Sequence, residues 1–261
     1  MAKSAASKLV RFAMATTPKA GASAALELGA FFDAAGLELE PLFVPNYAAL
    51  VDAMKGGRAN VAWCPPIVAR DLRREGIATT CACVERHGTP IYYCAIVGAP
   101  SVGSPADVRR FGWVSQLSAA GYVVPRSYLA SLPKPIVFAE ERFFHTHERS
   151  MEALKANIVD AIATYAVKEN GSTRVPHAFE GAQVLTTIGP LPGDVIMLSG
   201  DMGVRQAMKI ATLLERAEIE HGGAIHKMMG VTRFAPVPHG HLESLSKWID
   251  RLTSLRPPST S

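Results

Sequence analysis

Apolar and polar positions fall into short runs of two periods along this chain. Leu9 to Ala15 is mostly apolar and reads as a buried strand. Ala22 to Ala35 carries Leu26, Ala30, Phe31 and Ala34 at helical spacing, and Gly36 suits the cap that follows. Leu37 to Val44 alternates and reads as a second strand, closed by Pro45-Asn46. Tyr47 to Lys55 is a short helix ending at Gly56-Gly57, and Asn60 to Cys64 is a third strand. Pro65-Pro66 opens a helix over Ile67 to Arg74, since a missing N–H costs nothing at a helix start. Strands and helices that alternate across short connections predict a parallel sheet covered by helices.

The rhythm then changes. Thr79 to Val84 and Ile91 to Val97 are strand-like, and Gly98 to Pro105 is the most linker-like stretch. A second series follows: a short helix from Ser104-Pro105, a strand over Phe111 to Val114, a helix after Ser118 and a strand over Pro135 to Ala139. It continues with a helix over Thr146 to Ala156, a strand over Val159 to Tyr165 and another over Ala178 to Ile188. Gly189 to Asp194 is a second punctuated crossing, and Val195 to Leu198 is apolar again. Val204 to Ala217 and His241 to Leu255 are amphipathic helices, and Pro257 to Ser261 is a polar tail. The expected fold is α/β and two-lobed, each lobe a mixed, mostly parallel sheet flanked by helices. One lobe takes residues 1–99 and 194–261, and the other, residues 100–193, is inserted between two crossings. Such a chain is expected to hold ligand in a cleft between lobes, where strand carboxyl ends gather.

Composition narrows the function. The 261 residues are 48% hydrophobic and 19% charged, enough to bury a large core. A net charge of +4, with Arg70, Arg73 and Arg74 as the one local cluster, predicts a solvated helix face and no nucleic-acid partner. No run of about 18 apolar residues predicts a membrane span. The first eight residues contain lysines but no apolar core of a leader. They read as cytoplasmic as the sequence stands, or as periplasmic if a leader has been removed. Cys64, Cys81, Cys83 and Cys94 fit no common zinc spacing and read as small buried hydrophobes.

The candidate chemistry centres on Val114 to Pro125, where a strand runs into small and hydroxyl residues and then a helix. Unpaired N–H groups and the helix dipole make such a junction an anion site, to which Ser115 and Ser118 add hydroxyls. A plain N-cap role for Ser118 stands beside that reading. His147 begins a helix after a strand and suits a cationic donor to an anion. His145 and His147 also form His-x-His, but no third ligand has metal spacing, so neither metal nor cofactor is expected. Asp160 is a carboxylate in an apolar strand and needs a partner. It either orients His147, accepts from a ligand, or holds loop backbone. Tyr47 either faces the cleft or staples its own helix. Cys64 is a nucleophile only with a depressed pKa. No Ser/His/Asp, P-loop or dinucleotide fingerprint names a reaction.

The order and spacing of several stretches resemble one family over about Leu9 to Leu252. These are Tyr47-x-x-Leu50-Val51-x-Ala53-Met54 with Gly56 to Trp63; Pro90-Ile91-Tyr92-Tyr93; and Ser118-Ala119-Ala120-Gly121-Tyr122-x-x-Pro125. The others are His147 to Met151 with Asn157 to Ala161, and Ile188 to Asp194. The family is that of type II periplasmic binding proteins for phosphonate, phosphite and phosphate ABC transporters. The resemblance implies a two-lobed solute-binding clamp for a small anionic ligand, with an ABC transporter permease as partner. It places ligand contacts on Tyr47, Tyr93, Ser118, Ala119, Ala120, His147 and Asp160, beside the Ser115 hydroxyl. The family usually has consecutive hydroxyls across Ser118 to Ala120. The two alanines here imply a pocket with fewer donors, suited to a larger, more apolar anion. The alternatives are a cytoplasmic enzyme on the same fold, with His147 and Asp160 as acid and base, or a regulator's effector module, although no DNA-binding segment is attached.

Overall fold

The first described element is a strand, β1 (Leu9–Ala15), that Thr17 and Pro18 turn directly into helix α1 (Pro18–Ala34). The Thr17 hydroxyl accepts from the Ala20 N–H, and proline fills the first helical position, so the helix starts four residues before its apolar stripe predicts. The structure, a computed structural model, describes residues 9–169, 171–176 and 178–254. The first eight residues, in which no leader core was expected, and the polar tail lie outside the described residues.

Two compact units result. The first takes the described residues up to Ile91 and Gly193–Leu242. It contains β1, α1, β2 (Glu38–Val44), α2 (Tyr47–Lys55), β3 (Val61–Cys64), α3 (Pro66–Arg74) and β4 (Ala78–Arg86). The second takes Tyr92–Pro192 and the described residues from Glu243 on. It contains β5 (Ile91–Gly98) and β6 (Arg110–Trp113), then a π-type turn, Ala119–Val123, that runs into α4 (Val124–Ala130). Next come β7 (Glu140–Phe143), α5 (His147–Lys155), β8 (Ala161–Glu169), β9 (Ser172–Arg174) and β10 (Gln183–Pro192). The first unit resumes with β11 (Val195–Ser199), α6 (Val204–Arg216), α7 (Ala224–Met229) and β12 (Val231–Ala235), and α8 (Ser246–Ser254) returns to the second.

Both sheets are mixed and flanked by helices. The first runs β12-β4-β11-β3-β1-β2, with β1 parallel to β2 and β3, and β11 antiparallel between β3 and β4. The second runs β10-β5-β8-β6-β7, with β6 parallel to β7 and β8, and β5 antiparallel to β8. Val10, Phe12 and Met14 alternate onto one face of β1 and pack against Leu28 and Phe32 of α1, all fully buried. Phe12 and Phe32 meet edge to face at 6.3 Å. Burying each such side chain contributes about 1.5–3 kcal/mol. The second unit centres on Phe111, Trp113 and Phe138. The first two rings are stacked at 3.9 Å, and the Trp113 indole N–H donates to Glu141 at 2.7 Å.

The two units repeat one arrangement. In each, a strand, a helix, a parallel edge strand, a second helix and a third strand follow in order. Asn46 caps α2 and Thr146 caps α5; each accepts from the N–H three residues on. Gly57 and Asn157 both take a left-handed turn after those helices, at φ 65 and 56, where only glycine or a short polar residue sits easily. Asn60 and Asp160 then reach back to the neighbouring strand. Asn60 accepts from the Arg11 N–H at 2.9 Å, and Asp160 from the Arg110 N–H at 2.8 Å.

Of the boundaries that differ from expectation, three change the architecture. β5 joins the second sheet, so the change of unit comes at Ile91–Tyr92 rather than at Gly98 to Pro105; ladder pairing with β8 overrides the loop signal. The C-terminal helix, expected with the first lobe, groups with the second unit. The strand expected at Pro135 to Ala139 is displaced to Glu140–Phe143. Pro133 and Pro135 keep the apolar run irregular, Phe138 turns into the core, and Val137 is 86% exposed.

Candidate ligand-binding site

The carboxyl end of β6 is where the expected site residues of the second unit gather. The Trp113 carbonyl accepts from the Phe144 N–H at 2.9 Å and the Val114 carbonyl from the His145 N–H at 2.8 Å. The turn before α5 is thereby fixed onto the end of β6. His147 is the first residue of α5, and its Nδ1 lies 2.9 Å from the Thr164 hydroxyl of β8. Its ring stands edge-on to Tyr165 at 5.0 Å. Ring position and tilt are thus both fixed from β8.

The other wall is the turn from β6 into the helix. The Ser118 N–H donates to the Ser115 carbonyl, and the Ser118 hydroxyl accepts from the Gly121 N–H, both at 3.0 Å. Ser118 therefore is the N-cap, and its O–H hydrogen stays available to an acceptor. Gly121 lies so close to the strand that a Cβ there would come within 2.5 Å of Val114 Cβ. The first N–H groups of the helical segment, those of Ala119 and Ala120, have no intrahelical acceptor by geometry and lie at the positive end of its dipole. The Ser115 hydroxyl oxygen is buried and has no hydrogen-bond partner among the described residues. Leaving such a group unpaired costs about 1–3 kcal/mol.

Other expected residues are placed differently. Ala119 and Ala120 are buried, at 3% and 2% exposure, and the Ala120 carbonyl accepts from the Cys94 thiol at 3.2 Å. Their methyl groups are packed away and do not widen an open pocket. Asp160 does not join His147. One carboxylate oxygen accepts from the Arg109 and Arg110 N–H groups, and the other from the Arg110 guanidinium at 3.0 and 2.6 Å. Burial alone raises its pKa, but the hydrogen bonds from the Arg110 side chain and from both backbone N–H groups outweigh this and hold it below the usual carboxylate value. Both oxygens are therefore engaged in tying β8 to β6, the backbone role left open by its position. Cys64 is fully buried; burial, and then the Asp194 carboxylate, push its thiol pKa up, so no thiolate is available.

Tyr93 stands opposite Ala166 on β8, beneath the Lys168 ammonium, which is 4.8 Å from its ring centroid. Tyr47 is half-buried and is the first residue of α2, the place His147 holds in the second unit. Two positions escaped the reading of the sequence. Thr17 caps α1 after β1 as Ser118 caps the helical turn after β6; a hydroxyl pair directly after the first strand was the available signal. Asp194 accepts from the Trp63 indole N–H at 3.0 Å and from Arg86 at 2.7 Å, so the Gly-Asp that reads as punctuation anchors the re-entry of the chain into the first sheet. Among the described residues no group of three or more His, Cys, Asp and Glu side chains is placed to share a metal ion, and no helix is long and apolar enough to cross a membrane.

Comparison with known proteins places this geometry in context. No curated protein sequence matches the chain. Among solved structures it is similar to PhnD1 of Prochlorococcus marinus in complex with methylphosphonate, at 14% identity and a TM-score of 0.77, over 95% of this chain and 99% of that one. It is similar to a Xanthomonas citri protein bound to ATP, at 16% identity and 0.76, over 95% and 99%. It is also similar to a binding-protein component of an ABC phosphonate transporter from Pseudomonas aeruginosa, at 15% and 0.73, over 92% and 85%. At these identities the likeness is one of fold. The model of the family described as ABC transporter, phosphonate, periplasmic substrate-binding protein matches residues 28–241. With most of its length inside that match, the chain belongs to the family of periplasmic substrate-binding proteins of phosphonate ABC transporters.

Proposed function

We propose that this protein binds a small oxyanion of the phosphonate or phosphate class through Ser115, Ser118, the N–H groups of Ala119 and Ala120, and His147. Tyr93 contributes from β5. The observation that carries the reading is the Ser115 hydroxyl, buried without a partner among the described residues, beside a helix start and an anchored histidine. A tetrahedral oxyanion supplies the acceptor that this hydroxyl lacks, and accepts from several donors at once. Family membership supports delivery of the ligand to a membrane permease and a periplasmic working place. Binding is favoured over acid–base catalysis because the Asp160 carboxylate is held by Arg110.

Thermal denaturation with methylphosphonate, inorganic phosphate and ATP tests the reading. A ligand at a hundred times its Kd stabilises by about 2.7 kcal/mol. His147→Ala is expected to abolish that shift, measured against the variant's own unliganded melt, and loss of the shift in Tyr47→Ala would add α2 to the contacts. A His147→Ala variant that still responds as the parent does would place the site elsewhere.

A further inference from the structure

Strand β8 carries more than the partner of His147. Side chains alternate along a strand, so Thr164, Ala166 and Lys168 share one face. The antiparallel register with β5 sets Tyr93 directly opposite Ala166, on that same face. The Thr164 hydroxyl that holds His147 and the Ala166 methyl group form a buried floor on this line of β8, and the half-buried Tyr93 ring beside them, with the exposed Lys168 ammonium above it, is what the line presents. Lys168 is exposed, and among the described residues no carboxylate is paired with it. Thr164 and Lys168 are about 13 Å apart along the strand at its usual rise. The lysine stem leans back over Tyr93, level with Ala166, which brings the ammonium to about 7 Å from the Thr164 position along that line.

We propose that Lys168 is a specificity-determining residue and that the preferred ligand is a phosphonate with a second acidic group on a linker of one or two carbons. The inference rests on the assignment of the phosphonate head to His147 and the helix start. The tail carboxylate or phosphate meets the ammonium, and the linker carbons lie on the Tyr93 ring. A singly substituted alkyl phosphonate leaves the ammonium without a partner, and an aminoalkyl phosphonate sets two cations against each other.

Titration calorimetry on the full chain with methylphosphonate, phosphonoacetate and 2-aminoethylphosphonate tests this. The parent is expected to bind phosphonoacetate about tenfold or more tighter than methylphosphonate. Lys168→Ala brings that ratio within about threefold, Lys168→Arg keeps it, and Lys168→Glu favours 2-aminoethylphosphonate over phosphonoacetate. Circular dichroism verifies that each variant is folded. A parent that binds methylphosphonate and phosphonoacetate alike, or a Lys168→Ala variant that keeps the parent's preference, overturns the inference and leaves the head-group site standing. If none of the three ligands binds the parent, the head-group assignment falls and takes this inference with it.

Discussion

Asn60 and Asp160 hold the same position in the two units and fasten the third strand to the first with different chemistry. The Asn60 amide accepts from the Arg11 N–H and donates to the Leu9 carbonyl. Asp160 accepts only, and the Arg110 guanidinium balances its charge. An amide can therefore replace the carboxylate, and Asp160→Asn is expected to fold, whereas Asp160→Ala strands two N–H donors and costs about 1–2 kcal/mol. The folded pKa of Asp160 lies below its unfolded value of about 3.9, so its stabilisation is present above that value and is lost as pH falls through the folded pKa. Urea melts at a series of acid pH values should show that limb in the parent and a shallower one in Asp160→Asn; identical limbs would refute the assignment. The sequence showed a carboxylate in need of a partner, but the partner lies fifty residues away, where no local pattern reaches. Three of the thiols were legible, because an apolar run predicts burial, whereas Cys81 is only half-buried. Burial pushes Cys64 and Cys94 up, and pushes Cys81, with Glu215 nearby, up to about 12. Thiol reagents at pH 8 are expected to modify Cys64 and Cys94 only after unfolding.

At the scale of elements, the helix starts decide whether the site exists. Asn46 and Thr146 each satisfy one orphan N–H of the helix that carries Tyr47 or His147. Replacing either by alanine is expected to cost about 1 kcal/mol in a denaturant melt. Gly121 is more restrictive, because a methyl group there meets Val114 and the Ser118 oxygen within 2.7 Å. Gly121→Ala is expected to cost about 1–3 kcal/mol by overpacking. It should also weaken oxyanion binding, since the turn that holds Ser115 and Ser118 must shift; a variant with parental affinity would separate the turn from the site. These starts were readable from Ser118 and from Thr146 because capping is local chemistry. β7 was not readable. Its Glu-Glu-Arg-Phe has the polar composition of an edge, and it is a strand only because it pairs with β6. β5 failed for a related reason, since nothing within Ile91 to Gly98 tells which sheet it will join.

For the molecule as a whole, each unit has a core of its own, so ligand binding can be assigned to units by destabilising them one at a time. Leu28 is fully buried in the first unit and Leu154 in the second. Truncating either to alanine costs about 2–5 kcal/mol and makes that unit the first to melt. A ligand stabilises only the folded state it contacts, by an amount set by its concentration over Kd. Ser115, Ser118 and His147 all belong to the second unit, so unfolding of that unit releases the oxyanion. Methylphosphonate is then expected to raise the first calorimetric transition in Leu154→Ala, and a rise in Leu28→Ala as well would add Tyr47 to the contacts. A rise confined to Leu154→Ala would restrict the site to the second unit and turn Tyr47 into a helix staple. A rise confined to Leu28→Ala would do the reverse, and would leave the buried Ser115 hydroxyl without the partner its position demands.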